Sequence, residues 1–253
     1  IVSTLLALLL LASLPVSALA ATWDIGNGDI IVNAGSGGQT VTQGGGAAVE
    51  DNAPVIKGSS TENTVTINAE KDQTANVTLS GANIDVSSAG KAAVSTNGEG
   101  NVSIELDGDN TLKSATNHAG LEKNNGGSLT IADENKNGKL TAKGGDYGAG
   151  IGGGWRGSGS DITISGGEVN ATGGVNGAGI GGGCYGYGNN ITVSGDAKLK
   201  VQGGVEDNID GAGAGIGNGG SSDERAIPVT GAEVEPDTSG LTTNGSIEYY
   251  APG

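Results

Sequence analysis

The chain has 253 residues, of which 51 are glycine, and it contains no Phe or Met and only 3% aromatic residues. Any core must therefore consist of Ile, Val, Leu and Ala, which is unlike the composition of an ordinary globular enzyme. The formal net charge of -16 argues against nucleic acid or an anionic membrane as a partner, because both attract basic surfaces.

Residues 1–20 form an apolar run that breaks at Pro15 and ends in the small residues Ala18 and Ala20. This pattern predicts a secretory signal peptide, and therefore a secreted protein or one on the extracellular cell surface. An N-terminal anchor helix is the alternative. Cys184 is the single cysteine and cannot close an intrachain disulfide, so stability must come from another source such as lateral stacking of strands.

The next segment, residues 21–54, is predicted to be an N-terminal cap with the first strands. It lacks the full repeat unit described below, and it carries Trp23, whose large ring suits a strand that covers the first rung. Terminal repeats are expected to differ from internal ones, because they must shield the end of the stack.

Residues 55–220 contain three series of short apolar segments that repeat every 27 to 30 residues or so. The first series consists of triplets with a central hydroxyl residue, Val65–Ile67, Val77–Leu79, Val102–Ile104, Leu129–Ile131, Ile162–Ile164 and Ile191–Val193. The second series is Val86, Leu112, Leu140, Val169 and Leu199, and the third is Val94, Leu121, Ile151, Ile180 and Ile216.

Each segment alternates apolar and polar residues, as a strand does when one face is buried. Strands of four or five residues cannot bury such a face alone, so neighbouring units must stack. We therefore predict an all-β fold, a parallel, right-handed β-helix with three short strands per rung. Ile151 and Ile180 should be buried one rung apart, and Thr163 should lie over Thr192. A tight hairpin over 164–169, leading to an antiparallel stack or sandwich, is the rival fold.

The motif "GAGIGGG" occurs at 148–154 and again at 177–183. Only its Ile is expected to point inward, while the glycines allow tight corners and close approach of the backbone between rungs. A phosphate-binding loop is the functional alternative, but that reading requires a helix after the motif, and no helical period follows.

After the repeat stops, residues 221–253 are predicted to form an acidic linker and a truncated C-terminal tail. We expect a wall anchor or a further module downstream of Gly253.

Four segments resemble sequences of a known group of proteins, namely "TWDIGNGDIIV", "TVTINAEKDQTANVTLSGANIDV", "HAGLEKNNGGSLTI" and the repeated "GAGIGGG". They resemble glycine-rich β-helix proteins that are secreted or displayed on the surface of Gram-positive gut bacteria, some of which are labelled carbohydrate-binding. The resemblance covers roughly residues 22 to 220. It implies a β-helix at the cell surface and provides no catalytic motif that can be transferred to this chain.

An enzyme on this fold would most plausibly be a polysaccharide lyase or hydrolase, which needs either a base near calcium-binding acids or two carboxylates at a defined separation. Asp85 and Glu105 occupy outward positions but fall in different strand series. His118 lies next to a turn, and the two arginines are Arg156 and Arg225. We therefore predict that no residue is catalytic.

One segment resembles part of a calcium-binding loop. Asp133, Asn135 and Asn137 alternate before Gly138, as in the first half of such a loop, but its twelfth position is Gly144 rather than a bidentate Glu. An Asx-rich turn explains the same residues. We therefore expect no cofactor, with a structural calcium ion as the alternative.

The few aromatic residues concentrate near the two glycine motifs. Tyr147, Trp155, Arg156, Tyr185 and Tyr187 are predicted to form a glycan-binding edge, because exposed rings pack on sugar faces while polar groups bind hydroxyls. A spacing of 29 residues should place Trp155 at the level of Cys184 and Arg156 at the level of Tyr185. The alternative is that Trp155 covers only its own corner.

These observations favour a non-catalytic adhesin whose partner is a polysaccharide or cell-surface glycan. The partner is not predicted to be nucleic acid, and the chain is not predicted to be an integral membrane protein. A passive stalk that holds a C-terminal module away from the cell is the first alternative, and a polysaccharide lyase or hydrolase is the second.

Overall fold

The computed structural model describes residues 20–223, 225 and 227–252. The predicted signal peptide lies outside these residues, except for Ala20. Within the described part of the chain there is a single turn of 3-10 helix, Ile25–Asn27, and no helix long and apolar enough to cross a membrane.

Twenty-three strands make up the rest of the regular structure of the described residues. In chain order they are β1 (Thr22–Asp24), β2 (Ile30–Gly35), β3 (Gly38–Gln43), β4 (Val49–Glu50), β5 (Val55–Ser60), β6 (Val65–Ala69), β7 (Thr74–Asp85), β8 (Val94–Gly98), β9 (Asn101–Asp107), β10 (Asp109–Lys113), β11 (Leu121–Lys123), β12 (Leu129–Ala132), β13 (Lys139–Lys143), β14 (Ile151–Gly152), β15 (Ile162–Ile164), β16 (Glu168–Thr172), β17 (Ile180–Gly181), β18 (Ile191–Val193), β19 (Lys198–Gln202), β20 (Ile216–Gly217), β21 (Ser221–Ser222), β22 (Pro228–Val229) and β23 (Ser246–Tyr250).

The strands stack as a parallel β-solenoid of about six turns, which confirms the predicted fold class. Three walls run along its axis. The first contains β7, β9, β12, β15 and β18, and the second contains β7, β10, β13, β16, β19 and β23. The third contains β2, β6, β8, β11, β14, β17 and β20. The long strand β7 belongs to two walls, because its first part pairs with β9 and its end pairs with β10.

The third wall has the predicted register. Val94 pairs with Leu121, Leu121 with Ile151, Ile151 with Ile180, and Ile180 with Ile216, and all five side chains are fully buried. An apolar residue therefore follows an apolar residue from rung to rung, forming a continuous ladder through the core. Each such side chain contributes roughly 1.5–3 kcal/mol through burial.

The first wall matches the prediction over its last four rungs. Thr130 pairs with Thr163 and Thr163 with Thr192, so the hydroxyl residues lie over one another on the outer face. Two triplets were assigned wrongly. The triplet Val65–Ile67 was predicted in the first wall, but it forms the start of β6 in the third wall, where Val65 pairs with Val94. Val77–Leu79 is shifted by two residues, because Val77 rather than Leu79 pairs with Ile104.

A similar correction applies to the second wall. Leu140, Val169 and Leu199 pair as predicted, but Leu112 pairs with Ala142 and with Ile84. The position opposite Leu140 is occupied by Asn110, which is 1% exposed. Its side chain accepts a hydrogen bond from the Ala82 amide (2.9 Å) and donates to the Lys139 carbonyl (3.2 Å), so this buried amide is satisfied.

Close packing of backbones explains the glycine motifs. Gly152 has φ 134°, in a region that L side chains rarely adopt, and a Cβ built there would collide with the carbonyl oxygen of Gly181 one rung away. Gly181 stands in the same relation to Gly217. The glycines thus allow successive rungs to approach closely at this corner, as the sequence predicts.

The N-terminal end of the solenoid is covered by residues of the predicted cap. Trp23 pairs with Ile56 through β1 and β5 and packs against the core. Its indole Nε1 donates a 2.8 Å hydrogen bond to the carboxylate of Asp51, which is completely buried. The antiparallel strands β3 and β4 complete this end of the third wall.

At the other end, the segment predicted as an acidic linker and C-terminal tail pairs with the last rungs of the solenoid. Strand β23 adds to the second wall in register with β19. Asp237 forms a bridge to Thr192 in the first wall. The carboxylate of Glu233 accepts the amide N–H groups of Gly215 (2.6 Å) and Ile216 (3.0 Å) at the end of the third wall. This segment therefore caps the last rung instead of leaving it.

Candidate functional site: an exposed aromatic edge

The candidate site lies at the corner between the third and first walls. Two connections form it, residues 153–161 between β14 and β15 and residues 182–190 between β17 and β18. Both are longer than the corresponding connection between β11 and β12, which spans 124–128. The additional residues bring Trp155, Arg156, Tyr185 and Tyr187 to the surface, and we call this set the aromatic edge.

The rings of the aromatic edge are accessible to a ligand. Trp155 is 49% exposed, Tyr185 is 38% exposed and Tyr187 is 65% exposed. Trp155 is therefore not simply folded into the core of its own corner, although half of its surface is covered. Exposed aromatic residues are notable in a chain with seven in total, two Trp and five Tyr.

Arg156 connects the two rungs of the edge. Its guanidinium carbon lies 4.7 Å from the centroid of the Trp155 ring and 5.6 Å from that of the Tyr185 ring. Its backbone N–H donates to the Cys184 carbonyl (2.8 Å), which fixes the two connections one rung apart. The distances from the guanidinium carbon to the two ring centroids both fall in the range of cation–π attraction. The spacing of 29 residues thus correctly places Arg156 at the level of Tyr185.

Tyr185 is held in place by residues that sequence reasoning did not identify. Its phenol donates a 2.6 Å hydrogen bond to Asp210 and lies 2.6 Å from the Ser222 hydroxyl. The hydrogen bond to Asp210 raises the pKa of Tyr185, since it favours the protonated phenol. Asp210 is 8% exposed, and its backbone N–H is fixed by the carboxylate of Asp207 (2.6 Å). The ring is therefore anchored to the following rung.

Cys184 lies beneath the edge, where it is completely buried. Its thiol is 3.6 Å from the second carboxylate oxygen of Asp210. Burial, reinforced by the negative charge of Asp210, raises the pKa of the thiol to about 12. The thiol is consequently protonated at neutral pH and packs as an apolar group.

Tyr147 belongs to a different corner, the connection between β13 and β14. Its carbonyl accepts the Cys184 amide N–H (2.9 Å), so this backbone is adjacent to the aromatic edge. Burial raises the pKa of the Tyr147 phenol, and the charges of Asp207 and Asp146 raise it further. The structure thus places the backbone of Tyr147 beside Cys184, next to the aromatic edge.

The proposed calcium ligands lie elsewhere, beside a groove of about 940 Å³ at the corner between the first and second walls. Asp133 accepts the Asn137 amide N–H (3.2 Å), as expected for an Asx-rich turn, and Asn135 is exposed. Lys136, in the middle of the same turn, forms an ion pair with Asp196 (2.8 Å). Among the described residues, no three His, Cys, Asp or Glu side chains form a group that could hold a metal ion.

The residues considered for catalysis are separated. Asp85 accepts a hydrogen bond from Lys113 (3.1 Å) in the second wall, whereas Glu105 belongs to the first wall and accepts the Glu134 amide N–H (2.6 Å). His118 lies at a third corner, where its ring contacts the carboxylate of Glu122 (2.8 Å). Arg225 is exposed in the C-terminal segment.

The fold and the candidate site together define a parallel β-solenoid with an exposed aromatic edge. A family model described as a beta helix repeat matches residues 136–155 and 162–184. These two stretches include successive rungs of the solenoid and end at Trp155 and Cys184, within the connections that form the edge. Searches of curated proteins and of solved structures found no match.

Proposed function

We propose that the chain is a non-catalytic, extracellular surface protein that binds glycan through the aromatic edge. The observation that supports this proposal is the stack of Trp155, Arg156 and Tyr185 on two adjacent rungs, with both rings at least one-third exposed. A sugar ring presents a C–H face that packs on an aromatic ring, and its hydroxyl groups bind neighbouring polar groups.

The solenoid supplies rigidity to this surface. The two connections are joined by backbone hydrogen bonds, and Tyr185 is additionally held by Asp210 and Ser222. A site that is ordered before binding loses less conformational entropy when the ligand binds. Polysaccharides and cell-surface glycans are the first ligands to test.

A glycan array with the purified chain tests the proposal, followed by retention on an affinity gel carrying any glycan that binds. The double variant Trp155→Ala with Tyr185→Ala should abolish retention and leave the β-type circular dichroism spectrum unchanged. Tyr250→Ala is a matched control, because Tyr250 is 48% exposed but lies on β23 away from the edge. Unchanged retention of the double variant would refute the assignment of the site.

A second candidate function is a passive stalk. The unbroken ladder of paired rungs favours it, because such a stack gives a stiff and extended body without requiring a ligand. If the protein binds no glycan on the array even at high protein concentration, the stalk is favoured over the adhesin.

A further inference from the structure

We propose that the aromatic edge selects glycans whose terminal sugar carries a single carboxylate, and that Arg156 is the residue that recognises it. This inference rests on the proposed glycan-binding function and adds the chemical class of the ligand.

The first argument is that Arg156 carries a fixed but unmatched charge. In the described part of the chain, its guanidinium group forms no hydrogen bond and no ion pair, and the five ion pairs found there use Lys or His. Only four of the 12 Lys and Arg residues take part in these ion pairs, so Arg156 is distinguished not by lacking a carboxylate partner among the described residues but by being stacked against two aromatic rings. The two neighbouring rings position the group and leave its N–H donors available for a ligand.

The second argument comes from the backbone. Arg156 has φ 60°, a left-handed conformation that costs a residue with a side chain about 1 kcal/mol or more. Glycine would adopt it without this penalty, and Gly153, Gly154 and Gly157 occupy the neighbouring positions. Tyr185, at the same position one rung later, has φ 62°, so both rungs place a long side chain at this corner although glycine would fit there with less strain.

The third argument concerns the ligand's chemistry. A guanidinium group presents paired N–H donors that match the two oxygens of a carboxylate, and such charge-assisted bonds are stronger than neutral ones. Trp155, beside it, offers a ring for the face of the same sugar. One terminal acidic sugar could thus contact both residues at once.

The surrounding charges limit how acidic the ligand can be. Asp210 accepts the hydrogen bond from Tyr185 at 2.6 Å, the carboxylate of Asp207 accepts the Asp210 amide N–H at 2.6 Å, and the net charge of the chain is -16. A polyanion would place further carboxylates in this negative field and would be repelled. A neutral glycan with one acidic sugar at its end avoids this repulsion.

The test uses lactose extended by a terminal sialic acid or by a terminal glucuronic acid, together with the methyl ester of each. Calorimetric titration should show at least one acid binding about tenfold more tightly than its neutral ester, the size expected for one charge-assisted contact. Arg156→Gln should remove this preference and leave the affinity for the ester unchanged. Arg225→Gln, which changes the other exposed arginine, should bind like the original protein.

The possible outcomes separate the two proposals. Equal binding of acid and ester, or a preference retained in Arg156→Gln, would overturn the carboxylate proposal while glycan binding stands. Failure of both acids to bind while other glycans bind on the array would also overturn it. If no glycan binds at all, the proposed function and this inference both fail. Circular dichroism melting of each variant verifies that it is folded.

Discussion

Ile180→Ala provides the most direct test of the ladder of apolar residues in the third wall. Ile180 is completely buried and pairs with Ile151 on one side and Ile216 on the other, so neither neighbour can move without disturbing its own rung. Truncation of such a residue costs about 2–5 kcal/mol, through lost burial and the cavity left behind.

This loss corresponds to a measurable change in thermal stability. For a domain of 150–250 residues, each 1 kcal/mol lowers the melting temperature by about 2–4 °C, so Ile180→Ala should lower it by roughly 4–20 °C. Ile180→Asp should be more severe, because it places an unpaired charge in a dry core. Since each rung contacts only its neighbours, the rungs from β17 to β23 should lose hydrogen-exchange protection first.

The assay is circular dichroism melting, combined with hydrogen exchange resolved by peptide. Ile31→Ala is the matched control, because Ile31 lies in the same wall on β2 but is 38% exposed. Its melting temperature should change by only a few degrees. Equal effects of the two alanine variants, or an unchanged melting temperature in Ile180→Ala, would refute the assignment of Ile180 to the core.

Three further predictions concern other contacts. Gly152→Ala should lower the melting temperature because its Cβ meets the next rung, while Gly37→Ala should not, since nothing lies within 4 Å of a Cβ at that position. Glu233→Gln should speed hydrogen exchange at the Gly215 amide, and an unchanged rate would argue against the cap. Cys184 should react with a thiol reagent only after unfolding. Because the folded thiol keeps its proton to about pH 12 while an unfolded thiol loses it near pH 9, stability should decrease above about pH 9, and the decrease should be smaller in Cys184→Ala.

Much of the fold could be predicted from the sequence because each rung repeats the same few requirements. Inward positions must be apolar, corners require glycine, and the period is nearly constant from Val94 to Ile180. These local rules placed Ile151 beside Ile180 and Thr163 beside Thr192, and the structure confirms both pairs.

The errors in register have a common physical cause. A strand alternates with a period of two, so a shift by two residues leaves every side chain on the same face and cannot be detected from the apolar pattern. The shifts at Val77 and Leu112 are both of this kind. The burial of Asn110 was not predicted for a related reason. A polar residue can occupy an inward position only when other strands supply partners for its amide, and those partners are far away in the sequence.

For the candidate site too, part of the arrangement follows from the sequence and part only from the tertiary structure. The sequence by itself determined that aromatic residues gather at two glycine corners and that Arg156 and Tyr185 lie 29 residues apart, which is one rung. Only the tertiary structure decided that Asp210 and Ser222 hold Tyr185, since both come from the next, irregular rung at separations of 25 and 37 residues. It also decided that residues 228–250 close the end of the solenoid, because an exposed strand edge is paired by whichever segment reaches it, and no local pattern encodes that choice.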